Sequence, residues 1–332
     1  MGYVIIAKKN SFRHLYPIAK KCSFRYALRF VKTAVLVLGA TLLVVPLRAA
    51  TIETMASLAN PLRAFPQVRL SNGMFYGTVF GGFNGDPDRG SVFKLGPNGS
   101  LSTLYQFQGA TQEEANPTVL IGAADGNLYG ATAPRAVGDL NGMIFRLTPA
   151  GVFTAIYRFV DGKGTHATSL IQAADGNFYG TAAGDSSGGF FNHPPSMHNA
   201  GVFFKLTPAG VFTTLYSFTG GADGSLPNAL TQGADGNFYA STLCGPESPA
   251  NVFTGFGNIV KLTPTGALTN LYAFTGGNDG GNPTKVVQGS DGNFYGIATY
   301  PSIATVFKVT PAGVRNTVLR FEGNNGSGPS RL

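Results

Sequence analysis

Apolar residues in this chain fall in short runs separated by Gly, Pro, Asn and Asp, and one order of runs recurs five times. A first phrase, DGNFYG, occupies residues 175–180. Its copies are DGNLYG at 125–130, DGNFYA at 235–240, DGNFYG at 291–296 and a worn NGMFYG at 72–77. A second phrase follows each: SVFKLGPNG from Ser91, MIFRLTPAG from Met143, VFFKLTPAG from Val202, NIVKLTPTG from Asn258 and TVFKVTPAG from Thr305. A third closes each unit: LYQF at Leu104, IYRF at Ile156, LYSF at Leu215, LYAF at Leu271 and VLRF at Val318. Counted from the second residue of the second phrase (Val92, Ile144, Phe203, Ile259 and Val306), the third phrase always begins 12 residues later, whereas the first phrase begins 20, 19, 28, 24 and 15 residues earlier.

Turn chemistry converts these runs into strands. Asp-Gly and Asn-Gly favour two-residue hairpin turns whose central residues both take positive φ. The second copy then has strand a over residues 118–121 and strand b over 127–132. Thr-Pro-Ala-Gly is also a tight turn, with Pro setting φ and Gly taking the left-handed position. Strand c is thus 143–148 and strand d 152–159. Each unit is a four-stranded antiparallel meander, and tandem meanders with fixed glycines and aromatics predict an all-β fold, a β-propeller of five four-stranded antiparallel blades. The blades fall near residues 65–108, 117–160, 168–219, 227–275 and 283–322. Residues 51–64 are a linker or a remnant strand, since TIETMASL stands where a preceding strand d would lie, and residues 324–332 are expected to be disordered. Five blades suffice to close a ring. An incomplete ring closed by another chain is the alternative.

The phrases DGNFYG, KLTPAG and LYSFTGG resemble the Gloeo-Verruco tandem repeat of exported "choice-of-anchor" proteins, in five in-phase copies from Leu70 to Phe321. The resemblance implies a propeller-like, exported protein, often tethered by a C-terminal anchor, and supplies no biochemical activity. Here the last residues read GNNGSGPSRL, without a visible anchor.

Composition narrows the classes. Of 332 residues 43% are hydrophobic and only 12% charged, against roughly 25% charged in an ordinary soluble domain. Abundant Phe and Tyr exclude a disordered chain, 46 Gly and 20 Pro exclude a coiled coil or helical bundle, and two Cys exclude a disulfide scaffold. The net charge of +8 suggests nucleic acid until it is located. Residues 1–50 hold nine of the 24 Lys and Arg and none of the 16 acids, so the rest of the chain sums to −1 and no nucleic-acid partner is expected. The basic stretch leads into AVLVLGATLLVVPL at residues 34–47, followed by Ala49 and Ala50. That order is the one found in a secretory signal, which predicts cleavage after Ala49 or Ala50 and a secreted, periplasmic or cell-surface protein. The run is shorter than the about 20 residues a spanning helix needs, so membrane attachment is expected only through an uncleaved leader. Cys22 precedes the apolar run and Cys244 remains alone, a small buried filler.

In an a–b–c–d meander the a–b and c–d turns share one end and the b–c and d–a connections the other. Nearly all the length variation falls on the second end, where binding residues usually sit on loops carried by a rigid scaffold. The candidates there are Asp86, Asp88 and Arg89 in blade 1, Arg135 and Asp139 in blade 2, and Asp185, Phe190, Phe191, His193 and His198 in blade 3. Blades 4 and 5 add Asn251, Phe253, Phe256 and Tyr300. Glu247 and, on the d–a connections, Glu113, Glu114, Asp161, His166, Asp223 and Asp279 complete the set. Aromatic and polar groups on loops suit a glycan or protein ligand; the plainer reading is that they cover the mouth of the ring.

Other motifs carry less. The Asp residues of the DGN phrases form turns and lack the ligand alternation of a calcium loop. GDSSGG at 184–189 resembles a serine-protease phrase, but it has an extra Ser and no placed triad. His193 and His198 have no fixed geometry for zinc. Lys94, Arg146, Lys205, Lys261 and Lys308 in strand c lay their stems along the blade. The aromatics two apart on strand d pack between blades. No cofactor motif is present. The expected function is a non-enzymatic exported binding or scaffold module. The alternatives are a propeller hydrolase or lyase with a site at the channel mouth, and a purely structural surface repeat.

Overall fold

A computed structural model describes residues 34–38, 41–45, 64–81, 89–108, 116–133, 142–160, 163–184, 200–245, 255–299 and 304–321. The chain divides into two compact units, Met1–Ser57 and Leu58–Leu332. In the first, β1 (Ala34–Leu38) pairs antiparallel with β2 (Thr41–Val45). No helix among the described residues is long and apolar enough to cross a membrane.

The second unit is a propeller of five four-stranded antiparallel sheets, each with its strands in chain order. Blade 1 is β3 (Ala64–Arg69), β4 (Phe75–Val79), β5 (Ser91–Leu95) and β6 (Leu101–Gln106). Blade 2 is β7 (Pro117–Gly122), β8 (Leu128–Thr132), β9 (Met143–Leu147) and β10 (Phe153–Arg158). Blade 3 is β11 (Ala167–Gln172), β12 (Phe178–Ala182), β13 (Val202–Leu206) and β14 (Phe212–Ser217). Blade 4 is β15 (Ser225–Gln232), β16 (Phe238–Cys244), β17 (Asn258–Leu262) and β18 (Leu268–Ala273). Blade 5 is β19 (Val287–Gln288), β20 (Phe294–Ala298), β21 (Ala304–Val309) and β22 (Arg315–Phe321). The first strands of blades 1 to 4 lie against one another in succession.

The turns differ from the two-residue form that Asp-Gly suggests. In blade 2, Gly126 N–H donates to Ala123 O at 3.0 Å and Ala123 N–H to Asn127 O at 2.9 Å, which closes a three-residue loop. Gly126 takes φ +78°, while Asp125 does not enter the left-handed region. The Asp125 carboxylate accepts the Asn127 N–H at 3.0 Å. That bond stabilises an ordinary turn and leaves the left-handed position to glycine alone. The c–d turns have the same shape: Gly151 N–H donates to Thr148 O at 2.9 Å with Gly151 at φ +91°.

Every blade carries a bulge at one place in the c–d pair. Leu104, Ile156, Leu215, Leu271 and Val318 are each skipped by the register. The skipped residue's carbonyl meets the turn glycine of the next blade. A Cβ at Gly151, Gly210 or Gly313 would lie 2.9, 2.8 or 2.5 Å from the oxygens of Leu104, Ile156 and Leu271. Gly266 packs on the Leu215 carbonyl in the same way.

Successive residues of a strand point to opposite faces, so the two aromatics of NFYG serve two neighbours. The Tyr faces the next blade and the Phe or Leu before it faces the previous one. Tyr129, Ile144 and Phe159 of blade 2 pack with Phe178, Phe204 and Leu206 of blade 3. Tyr76, Val92 and Phe107 meet Leu128, Phe145 and Leu147 between blades 1 and 2. The same pattern recurs between blades 3 and 4 and between blades 4 and 5. Ring centroids across three of the four seams are 4.2, 4.4 and 3.7 Å apart (Tyr129–Phe178, Tyr179–Phe238, Tyr239–Phe294). The Phe that ends the third phrase is almost completely buried, 1–4% exposed at Phe107, Phe159, Phe218 and Phe274. The recurring aromatics of strand d are therefore packing residues between blades.

Candidate functional site

The two ends of the blades are chemically different. At the turn end each Asp is consumed locally. Asp125 Oδ2 accepts Asn127 Nδ2–H at 2.8 Å and the Tyr129 hydroxyl at 3.0 Å. Asp175, Asp235 and Asp291 repeat both contacts with Asn177 and Tyr179, Asn237 and Tyr239, and Asn293 and Tyr295. In the worn first copy Asn72 donates to the Tyr76 hydroxyl at 3.2 Å. The strand c cation lies opposite that Tyr in register, as Lys205 does to Tyr179 and Lys261 to Tyr239. It reaches the same carboxylate: Lys205 Nζ is 3.4 Å from Asp175 and Lys261 Nζ 2.9 Å from Asp235. Their ammonium groups stand 5.6 and 5.8 Å from the Tyr ring centroids.

Burial alone would raise the Asp235 carboxyl. Hydrogen bonds from Asn237, Lys261 and Tyr239 outweigh it and hold the group well below the ordinary carboxylate range. Asp125, Asp175 and Asp291 shift the same way. Sequence reading finds the turn role of these residues and the period of the cations. It misses that Asp, Tyr and cation form one cluster in blades 3 and 4. The signal is present in the spacing: the Tyr follows the Asp by four, and the cation is its cross-strand neighbour.

At the other end lie the b–c and d–a connections. Asp86, Asp88, Arg135, Asp139, Asp185, Phe190, Phe191, His193, His198, Asn251, Phe253 and Tyr300 lie outside the described residues, as do Glu113, Glu114, Asp161 and Glu247. Arg89 and Phe256 are described, and they occupy equivalent places at the foot of strand c. The carbonyl of each pins the next blade: Asn116 N–H donates to Arg89 O at 3.0 Å, and Asn282 N–H to Phe256 O at 2.8 Å. Leu226 N–H donates to Ala200 O in the same way. The Phe256 ring covers Gly276 and Gly281, where a Cβ would collide with it. Arg89 and Phe256 belong to different blades.

Asp223 and Asp279 face inward, each 8% exposed. Asp223 accepts from the Tyr216 hydroxyl at 2.9 Å, Thr219 N–H at 2.8 Å and the Thr219 hydroxyl at 2.5 Å. Asp279 repeats this with Tyr272 and Thr275. These carboxylates clasp the loop that follows strand d. Burial, with the Asp223 charge, pushes Tyr216 up to about 12. Burial pushes His166 down to about 4, and its Nδ1 lies 3.0 Å from the Thr165 hydroxyl. Cys244 is half-buried at the end of β16. Among the described residues no three His, Cys, Asp or Glu are grouped to hold a metal ion.

Backbone strain also marks this end. Asn116, Leu226 and Asn282 take φ of 53, 54 and 48°. These are the non-glycine residues with positive φ among those described, and each precedes a Pro that pairs with the second strand of its blade. The Asn116 amide is buried with neither its nitrogen nor its oxygen hydrogen-bonded.

A model of the Gloeobacter/Verrucomicrobia repeat matches residues 49–251 and 196–332. No curated protein matches the chain in sequence. Among solved structures it is similar to a streptogramin B lyase, at 17% identity and a TM-score of 0.53 over 79% of this chain and 70% of that one. It is also similar to a Thermus thermophilus protein described as an oxidoreductase of the glucose dehydrogenase type, at 14% identity and a TM-score of 0.51 over 80% of this chain and 85% of that one. The extracellular domain of a one-component system of B. thetaiotaomicron matches at 15% identity and a TM-score of 0.50 over 81% of this chain, which spans 31% of that protein. These likenesses establish the propeller fold.

Proposed function

The chain belongs to the Gloeobacter/Verrucomicrobia repeat family, and from that premise we propose that it is an exported binding or scaffold module whose glycan or protein ligand meets the b–c and d–a end. One observation carries this reading: the two ends of the blades are built to opposite specifications. At the turn end every blade has the same loop lengths, and the carboxylates of blades 2 to 5 are taken up by Asn and Tyr of their own blade, with a Lys added in blades 3 and 4. At the other end the connections range widely in length, and the strained backbone residues collect there. Sparsely populated backbone conformations persist where the surroundings over-determine them, and they favour binding sites. Variable loops on a rigid frame are the usual place for recognition. The leader's charge and its fourteen-residue apolar run support export.

The test is binding to a glycan array and to an immobilised envelope-protein fraction, comparing the full chain with a variant lacking residues 185–199. The expected result is a ligand retained by the full chain and lost or weakened at least tenfold by the deletion. Equal retention by both proteins overturns the assignment to this end. Multiple turnover of a lactone, ester or glycoside by the purified chain overturns the non-enzymatic role.

A further inference from the structure

The first and last blades expose the two halves of an interface that the chain builds four times within itself. At every internal seam the b-strand Tyr and the strand c apolar residue of one blade pack on the first b-strand apolar residue and the strand c Leu or Val of the next. Those positions are closed to solvent: Tyr76, Tyr129, Tyr179 and Tyr239 are 0–2% exposed, and Leu147, Leu206, Leu262 and Val309 are 0% exposed. The same positions open at the ends of the series. In blade 5 the outward Tyr295 and Val306 are only half-buried, and in blade 1 so are the backward-facing Phe75 and Leu95.

Strand d shows the complement most directly. Tyr105 stacks on Phe153 with centroids 4.5 Å apart, and Tyr157 stacks on Phe212 at 4.1 Å, each pair crossing a seam. Leu319 stands at the Tyr position in blade 5, opposite Val306 across the same bulge. Leu101 stands at the Phe position in blade 1, opposite Leu95. Both leucines are 37% exposed. A polar position agrees. At two seams a Gln closing the first strand accepts an N–H from the previous blade's a–b turn: Gln172 from Ala124 at 2.7 Å and Gln288 from Ala234 at 2.8 Å. Blade 1 has Arg69 at that position, exposed and 5.3 Å from the Phe75 ring. The turn it would meet on a blade 5 face carries the Asp291 carboxylate. Terminal repeats that face solvent carry polar outer faces, and these two are apolar with one complementary charge pair.

We propose that a second copy of this chain covers these faces, with blade 1 of one copy seated on blade 5 of the next in the register of the internal seams. Leu101 then meets Leu319 and Arg69 meets Asp291. The contact is heterologous, so it propagates until a ring closes or a filament forms. This proposal is independent of the ligand proposed above, because it uses the edges of the blade series and not its loop end.

The test uses the full chain with Cys22 and Cys244 replaced by Ser. Leu101→Cys and Leu319→Cys are made in separate chains, co-expressed, and treated with a short bis-maleimide. The expected product is a covalent pair of chains from the mixture, absent from either variant alone. Light scattering on the unmodified chain is expected to give a mass above one chain. That mass falls as salt rises, and it falls in Arg69→Glu. Two results overturn the proposal. One is crosslinking within a single chain carrying both cysteines, on a protein with the mass of one chain, which would mean blade 5 closes on its own blade 1. The other is no crosslink in either arrangement, which would mean that something other than a blade of this chain covers the faces. Circular dichroism of each cysteine variant confirms that the blades are formed.

Discussion

A methyl group added at Gly180 would drive into the ring of Phe204, its cross-strand partner, and Gly130 and Gly296 stand in the same relation to Phe145 and Phe307. Blade 4 resolves the conflict the other way, with Ala240 opposite Val260. Gly180→Ala should therefore cost about 1–3 kcal/mol of overpacking. Adding Phe204→Val should recover part of that cost, with a coupling of about 1 kcal/mol or more in a double-mutant cycle read by urea unfolding. Additive losses would show that the pair does not pack as described. Two groups illustrate the response to acid in separate pH intervals. His166 is neutral in the folded chain down to about pH 4, whereas the unfolded imidazole takes its proton near pH 6.5. Stability is then full above about pH 6.5 and falls as pH drops towards 4, by roughly 3 kcal/mol at most. His166→Gln should flatten that slope in unfolding free energies measured across the interval. Asp235 is held below its unfolded value. Its contribution is present above about pH 4 and is lost only as pH falls further, so Asp235→Asn should flatten the Tm profile below pH 4 and leave the His166 interval unchanged.

Among elements, the hairpin turns separate two uses of glycine. Gly176 and Gly210 have similar φ, +80 and +90°. A Cβ at Gly176 meets nothing within 4 Å, while one at Gly210 would lie 2.8 Å from the Ile156 carbonyl of the preceding blade. Gly176→Ala should cost about 1–2 kcal/mol, the penalty of a left-handed alanine. Gly210→Ala should cost at least about 1 kcal/mol more, because a seam must also open. Thermal unfolding of the two variants compares them directly, and equal losses would mean the bulge carbonyl does not approach the turn. This pair also marks the limit of reading elements from the chain. The strands were legible to within a residue or two, because turn residues and period-two alternation are local signals. The turn form was not, because the Asp125–Asn127 bond favours the three-residue loop over the one that Asp-Gly alone suggests.

For the whole molecule, the long connection of blade 3 lies between β12 and β13 and contributes no described strand. Loop closure changes by only about 0.6 kcal/mol per halving of length. Removing residues 185–199 should accordingly shift the Tm by less than about 4 °C, and a larger fall would mean that the connection packs into the blades. The candidate site was partly legible. The ends were distinguishable from loop lengths alone, and Arg89 and Phe256 lie on the variable end. Asp223 and Asp279 turned inward to clasp their own loops, which a loop sequence does not reveal, since burial depends on what lies across from it. By itself the chain determined the repeat, its strands, the number of blades and the roles of the DGN and TPAG phrases, because each follows from neighbours a few residues apart. Only the tertiary structure decided which cation meets which carboxylate, where the bulge carbonyls rest, and that Leu101 and Leu319 are left exposed at the two ends of the series. Each of those outcomes depends on a partner strand or blade that local sequence does not place.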